Sequence, residues 1–351
     1  MRILVVGQGL AGTLISHAAL REGWDCHVVD SGAPAASSVA AGMFNPMSFR
    51  RILEVWDAAI HLDALNSTYK EIERDLGTEL LHFLPILKRI PNASYADDWN
   101  EKAEQLPWIE PVLTDPQIAQ RFPDAVKSDG HGFGVVNGGG WVNVPKLILA
   151  WRSRLQQLGR FSIQQWHTTE AQSGLAKSWD VIVDCRGCAV TRDHSAPGPD
   201  IRSNRGEILT LGSTSPIDSP PPHSHILNFG KWTLPVSQNQ WRLGASYEWN
   251  RTDLNPTPEM ARFLMESLEH HAPECSALNI QAHDVGERPV SRDRRPAVGP
   301  WPEIDGLFLF NGLGTRGVLI GPRWTEHLVQ LLNGDTQPVD IVAPKRLFSH
   351  L

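Results

Sequence analysis

The hexapeptide "GQGLAG" at residues 7–12 constrains this chain more than any other stretch. It sets Gly7, Gly9 and Gly12 in G-x-G-x-x-G spacing, directly after the apolar run "RILVV" at 2–6. The segment that follows, "AGTLISHAALREG", has Leu14, Ile15, Ala18 and Ala19 on one helical face and stops at Gly23. A short β-branched run ended by glycine reads as a buried parallel strand, and "DCHVVD" at 25–30 reads as a second. A βαβ unit therefore opens the chain. In such a unit the glycines permit a tight turn, close approach of backbone N–H groups to a pyrophosphate, and close packing of helix on strand. Leu10 and Ala11 share that turn, and the helix N-terminus presents its partial positive charge to the phosphates. Asp30, closing the second strand, is placed to accept hydrogen bonds from ribose hydroxyls and disfavours a 2′-phosphate, so NADP is not expected. The fingerprint alone does not separate FAD from NAD, nor either from an ordinary strand–turn–helix.

At 351 residues the chain exceeds what one core usually serves, so two domains or one with a large insert are expected. Residues 50–76 read as one helix, with Leu53, Trp56, Ile60, Leu65 and Ile72 along a face. Residues 80–140 are proline-broken and read as short strands and turns. "PKLILAWRSRLQQLG" (145–159) reads as a helix and "WDVIVDCRG" (179–187) as a further nucleotide-domain strand. "GEILTLG", "KWTLPVS" and "QWRLGASYEW" read as antiparallel strands, "TPEMARFLMESLEHH" as a helix, and "SPPPH" at 219–223 as a surface turn. The C-terminal "GLFLFNGLGTRGVLIGPRWTEHLVQLL" reads as strand, glycine turn and helix. The expected fold class is α/β, a Rossmann-like nucleotide domain interleaved with an antiparallel-sheet domain. The first is expected over 1–80, 141–200 and 286–351, the second over 81–140 and 201–285.

A net charge of −7 without a basic run argues against a surface built to neutralise nucleic-acid phosphates. Four cysteines are too few for a disulfide framework and fit reduced thiols, and Cys185-x-x-Cys188 reads as structural. "ILVV" is too short for a signal-peptide core and no stretch approaches eighteen apolar residues, so a soluble, cytoplasmic protein is expected. Thirteen tryptophans are dispersed and read mainly as packing anchors. His131, His223 and His225 have no neighbouring catalytic pattern, and no metal motif is present.

Two further stretches carry chemistry. "AAGMFNPM" at 40–47 is small and apolar: Ala40, Ala41 and Gly42 leave room for a flat isoalloxazine ring, with Met43 as a polarizable flank. Ser37 and Ser38, just upstream, are placed to add hydroxyl donors to phosphates; otherwise this is a small-residue surface loop. At the far end, "GERPVSRDRRPAVGP" places Arg288 in a strand-like R-P context, followed by a glycine turn of Gly312, Gly314 and Gly317 that opens a helix. That helix start can direct N–H groups at a developing negative charge such as the N1–C2=O edge of a reduced flavin.

Together these segments resemble the D-amino acid oxidase-like family of flavoenzymes, which includes glycine oxidase, sarcosine oxidase and D-amino acid oxidase. "VAAGM" is similar to the family's V-A-A-G-[LM] segment, and "GERPV" to its G-x-R-P segment, whose arginine holds the substrate carboxylate. "GLGTRGVLIGP" resembles its last glycine-rich turn, which puts Gly312, Gly314, Thr315, Arg316 and Gly317 beside the flavin. "RLGASYEW" resembles its G-A-[ST] strand, with Tyr247 able to face substrate. The chain departs from the pattern at "DCRG", which replaces the commoner A-T-G and makes Gly187 a cofactor contact on weaker grounds; Asp30 replaces a frequent glutamate. Gly286 and Glu287 stand where covalent flavin enzymes carry a cysteine, so the resemblance implies noncovalent FAD.

The resemblance implies an FAD-dependent oxidoreductase that oxidises the C–N bond of a small amine or amino acid. Arg288 would fix the carboxylate, the α-carbon would lie over flavin N5, and hydride would transfer once the amine is unprotonated. Oxygen or another acceptor would then take the electrons. Alternatives are a tRNA-modifying oxidase similar to the oxidase half of the bifunctional wobble-uridine enzyme, and a flavin-binding module without turnover. Read from the residues alone, Arg288 also suits a partner for Asp284 or Glu287, Tyr247 suits core packing, and Arg292, Arg294 and Arg295 read as a solvated turn.

Overall fold

The computed structural model describes residues 1–173, 178–212, 223–249, 251, 253–275 and 278–348. The turn expected at 219–223 therefore lies, apart from His223, outside the described residues. Five parallel strands form the first sheet in the order Phe161–Ile163, Asp25–Asp30, Arg2–Val6, Val181–Asp184, Leu307–Asn311, with Ala297–Pro300 antiparallel at the edge. The chain leaves Arg2–Val6 to one side for Asp25–Asp30 and returns on the other at Val181–Asp184. A crevice opens at this switch point, beyond the carboxyl ends of the two central strands, the place where open α/β sheets bind ligands.

Helices Leu10–Arg21 and Gly317–Asn333 pack together against this sheet; a Cβ added at Gly321 would lie 2.8 Å from Leu14 Cδ1. Leu14 and Ile15 are fully buried there, each worth about 1.5–3 kcal/mol of transfer free energy. The two helices also start side by side, since a Cβ on Gly317 would sit 3.2 Å from Leu10 Cδ2. Both N-termini thus open at the crevice.

The second sheet has seven strands in the order Asn279–Ser291, Ile201–Gly212, Gln240–Gly244, Trp232–Ser237, Ile226–Asn228, Ile86–Arg89, Phe133–Val136. Its backbone is the long antiparallel ladder between Ile201–Gly212 and Asn279–Ser291. One pair departs from the expected antiparallel pattern: Ile226–Asn228 runs parallel to Ile86–Arg89. The strand Asn279–Ser291 also runs across residues 285 and 286, where the sequence suggested a domain boundary; it stays paired as far as Ser291. Helix Pro258–His271 covers the far face of this sheet through Leu264 and Leu268.

Two local expectations fail. The helix expected over 50–76 begins only at Ala58, because Ile52 and Asp57 take left-handed φ values of 48° and 50° and Met47–Ser48 pairs with Leu53–Glu54. The apolar stripe that suggested an earlier start is on the surface: Leu53, Trp56 and Ile60 are 45%, 41% and 52% exposed. Residues 80–140 contain two helices as well as strands, Ala93–Ala103 and Asp115–Arg121. Both are polar, and side chains at their starts mark them: Asn92 Oδ1 accepts from Tyr95 N–H (2.9 Å) and Gln117 Oε1 from Thr114 N–H (2.8 Å).

Candidate active site

The crevice continues into a cavity of about 490 Å³ between the two sheets. Gly7, Gly9 and Asp30 line it on the side of the first sheet and Tyr247 and Arg288 on the side of the second, while Leu10, Ala11, Gly314, Thr315 and Gly317 line it where the two helices start. Ala41, Gly42, Met43 and Gly187 line it as well.

On the side of the first sheet the three glycines serve distinct roles. Gly7 has a φ of 93°, and a Cβ there would meet the Cys185 carbonyl oxygen at 2.9 Å. Gly9 faces the cavity. Gly12 does not line it: a Cβ there would overlap the Gly7 carbonyl, so its absence lets helix pack on strand. Asp30 Oδ2 accepts from Gln8 N–H (2.7 Å) and Oδ1 from Gly32 N–H (2.8 Å), which fixes the carboxylate at the wall with lone pairs to spare. Ser37 Oγ accepts from Leu10 N–H (3.0 Å), capping the helix from outside its own sequence. Ser38 lines the cavity, but its hydroxyl donates to Ala35 O (2.7 Å) in its own turn.

Gly42 has a second reason to be glycine beyond leaving room at the cavity. Its φ is 73° and an added Cβ would overlap the Val142 carbonyl oxygen, while Gly42 O accepts from Val142 N–H (3.0 Å). Gly187 also takes a left-handed φ, 58°, and its carbonyl accepts from Asn311 Nδ2 (3.0 Å). Cys185 and Cys188 are buried free thiols at this wall; burial raises both, Cys188 to about 12, so neither is a thiolate at neutral pH.

On the side of the second sheet the strand pairing that sets Asn204 opposite Arg288 brings their side chains together. Arg288 Nη1 donates to Asn204 Oδ1 (3.0 Å) and to the Ser246 carbonyl (3.3 Å). Its guanidinium carbon lies 4.8 Å from the Tyr247 ring centroid, a cation–π contact. Gly206 is what admits it, since a Cβ there would overlap the guanidinium. Burial lowers its proton affinity, and among the described residues it has no carboxylate partner. The neighbouring cations are different. Arg186 pairs with Asp184 (2.7 Å) and Asp193 (2.8 Å), and Arg192 pairs with Glu287. Arg288 is therefore a desolvated cation left free on its cavity side.

Two residues named from the sequence stand just behind the wall. Gly312 (φ 69°) shapes the turn, and Arg316, an exposed residue, supplies the backbone start of helix Gly317–Asn333; neither lines the cavity. The sequence reading missed Gly206, Asn204 and Trp232, which with Tyr247 build the side of the second sheet. Asn204, Gly206 and Ile208 alternate along one strand, so their shared face was readable once Arg288 was assigned to the partner strand.

FAD fits this setting on three observations. Two helix N-termini converge on the cavity, the glycine positions leave backbone where side chains would intrude, and Asp30 is fixed beside the first glycine turn. The family model for DAO, FAD dependent oxidoreductase, matches residues 2–331. The chain belongs to this family. Among DAO relatives, glycine oxidase of Pseudomonas aeruginosa is 26% identical, with 97% of this chain and 96% of that protein aligned. The tRNA 5-methylaminomethyl-2-thiouridine biosynthesis bifunctional protein MnmC of Legionella pneumophila (strain Corby) is 24% identical over 98% of this chain, which spans 55% of that protein. The fold is similar to the crystal structure of glycine oxidase from Geobacillus kaustophilus, with a TM-score of 0.81, 19% identity, and 99% and 98% of the two chains covered. It is also similar to iminodiacetate oxidase from Chelativorans sp. BNC1, with a TM-score of 0.75, 17% identity, and 98% and 99% covered. As a DAO member the chain is an FAD-dependent oxidoreductase.

Proposed function

We propose that this oxidoreductase acts on the C–N bond of a small amine that carries a carboxylate, an α-amino acid or N-substituted glycine. The observation that carries the reading is the unpaired, desolvated Arg288 on the second sheet's side of the cavity. A guanidinium in that state is matched to a carboxylate through two parallel N–H···O bonds. Asn204 and the Ser246 carbonyl orient it, and Tyr247 supports its face. FAD, when bound, supplies the two-electron acceptor. Gly7, Gly9, Leu10, Ala11, Asp30 and Ser37 would hold its dinucleotide end, and Ala41, Gly42, Met43, Gly314, Thr315 and Gly317 its ring end. The apolar wall formed by Ile208, Trp232 and Ala245 excludes water beside the anchored substrate. A carboxylate fixed at one end leaves the amine carbon in a narrow set of positions, which is the contribution of the chain to rate.

The relatives named glycine oxidase and iminodiacetate oxidase support this substrate class. A second reading, a tRNA-modifying oxidase, is favoured by the MnmC match along 98% of the chain. Retention on tRNA with a steep salt dependence is its expected signature.

The test is carboxylate binding, read from the absorbance change when the FAD-loaded protein is titrated with acetate or methoxyacetate. Arg288→Ala is expected to weaken binding by about 2–5 kcal/mol, with Arg288→Lys in between. Equal affinity in wild type and Arg288→Ala removes Arg288 from substrate binding.

A further inference from the structure

Residues 204–207 of strand Ile201–Gly212 divide their side chains between two tasks. Asn204 and Gly206 serve Arg288, the first through its side-chain oxygen and the second by leaving room. Arg205 and Glu207 lie on the opposite face, because side chains alternate along a strand, and both are completely buried. Arg205 is the hub of that face. Its Nη1 donates to Glu207 Oε1 (2.6 Å) and Glu248 Oε1 (2.9 Å), its Nε to Asp253 O (2.7 Å), and its Nη2 to Asn255 O. Glu207 extends the hold by accepting from Thr257 N–H (3.0 Å) and Thr257 Oγ1 (2.8 Å), at the start of helix Pro258–His271.

What Arg205 grips beyond its own strand lies next to two residues of the cavity wall. Tyr247 precedes Glu248, and Leu254 stands between Asp253 and Asn255; both line the cavity and are exposed. The same stretch of chain supplies Arg288 with the Ser246 carbonyl (3.3 Å) and the Tyr247 ring (4.8 Å). Ser246 is itself tied to the strand, donating its N–H to Glu207 O (3.2 Å) and accepting from Glu207 N–H at its hydroxyl (2.9 Å). Arg205 and Glu248 also exchange both backbone hydrogen bonds, each 2.9 Å. These backbone bonds set the register of Ser246–Glu248 against the strand, and the Arg205 guanidinium joins that segment to Asp253–Asn255. A buried ion pair is a weak source of stability compared with packed apolar side chains. A planar fork of five N–H donors is a strong source of fixed geometry.

We propose that Arg205 is a positioning residue for substrate binding. By holding Ser246–Glu248 and Asp253–Asn255 from the far face of the sheet, it sets the carbonyl and the ring that orient Arg288 towards a carboxylate. The inference rests on the assignment of the substrate carboxylate to Arg288.

The test separates positioning from folding in the FAD-loaded protein. Glu248→Leu takes one acceptor from Arg205 but leaves the buried Arg205–Glu207 pair in place, and Glu248→Gln keeps a side-chain oxygen there. Two quantities are read: amide exchange by mass spectrometry, and the Kd of methoxyacetate from the flavin absorbance. Glu248→Leu is expected to speed exchange in peptides covering 245–249 by about tenfold, with peptides from 279–291 exchanging as in the wild type. It should also raise the Kd by about tenfold, because the anchor of the carboxylate is misplaced. Glu248→Gln should recover most of both. Arg205→Lys, whose single ammonium cannot serve four acceptors, should loosen 253–257 as well as 245–249 and weaken binding in the same direction. A merely structural role lowers the urea midpoint and leaves the Kd of the folded protein where it was. An unchanged Kd or unchanged exchange in Glu248→Leu therefore overturns the inference. If Arg288→Ala binds methoxyacetate as the wild type does, or neither binds it, the reading of Arg288 fails and this inference with it. Binding lost in Arg288→Ala but intact in Glu248→Leu overturns the role of Arg205 alone.

Discussion

Gly42 and Arg288 show how differently two residues can be determined by their surroundings. Gly42 is fixed by backbone geometry: a left-handed φ and contact with the Val142 carbonyl exclude any Cβ. Gly42→Ala is therefore expected to destabilise the protein by roughly 3 kcal/mol, combining conformational strain with overpacking. The urea midpoint measures this, and an unchanged midpoint would mean that the Val142 strand can yield. Arg288 is fixed by what it lacks. Arg186 is also buried beside the cavity, but it is consumed by Asp184, Asp193 and the Trp166 ring (4.8 Å), which makes it structural. Sequence shows both as arginine near glycine. What separates them is the source of their partners: the neighbouring strand gives Arg288 only Asn204 and Gly206, whereas Arg186's own segment gives it Asp184 and Asp193.

Among the elements, those with strong local signals were legible. The βαβ unit, the helix Val144–Gln157 and the final strand–turn–helix combine apolar periodicity with glycine or proline at the right ends. The front of helix Ala58–Leu76 was not, because a surface stripe of Leu53, Trp56 and Ile60 imitates a buried face. Tertiary packing made the difference: Trp56 stacks on Trp324 at 5.8 Å and carries Arg295 at 5.0 Å. Helix Ala93–Ala103 has only a narrow apolar stripe, Tyr95, Ala96, Trp99 and Ala103, among charged residues, and Asp115–Arg121 buries Ile118 alone, so their starts are the clearer signal.

The same helix carries a pH dependence. His61 is 1% exposed with neither ring nitrogen hydrogen-bonded, and His225 is fully buried at the edge of strand Ile226–Asn228. Burial holds both at about 4, below the ordinary histidine value; for His225 it outweighs the opposing pull of Asp124. The unfolded chain therefore binds more protons than the native one between those two values. Stability is complete above the unfolded pKa and falls as pH drops through about 6.5 towards 4, by about 2 kcal/mol per group at pH 5. Urea midpoints at pH 7.5 and 5 should show this loss, and His61→Phe should reduce the slope. A flat profile would mean that these rings are solvated.

On the scale of the whole molecule, a parallel sheet and a largely antiparallel sheet each line one cavity, with Asp30 on the first and Arg288 on the second. Among the described residues no helix is long and apolar enough to cross a membrane. The interleaving was legible because each pass of the chain keeps its own periodicity. The exact handover was not, since strand Asn279–Ser291 carries residues of both proposed halves in one ladder. On the proposed reading the two halves have a joint consequence: reduction of the cofactor by an amino acid would require Arg288 on one sheet to position what the glycine turns of the other receive. The most direct test is anaerobic mixing of the yellow protein with a panel of D-, L- and N-methyl amino acids, following the flavin absorbance. Bleaching by one or more of them in the wild type, slowed at least about thirtyfold in Arg288→Ala, is the predicted result. Equal bleaching in both proteins, or none by any amino acid in the wild type, would contradict it.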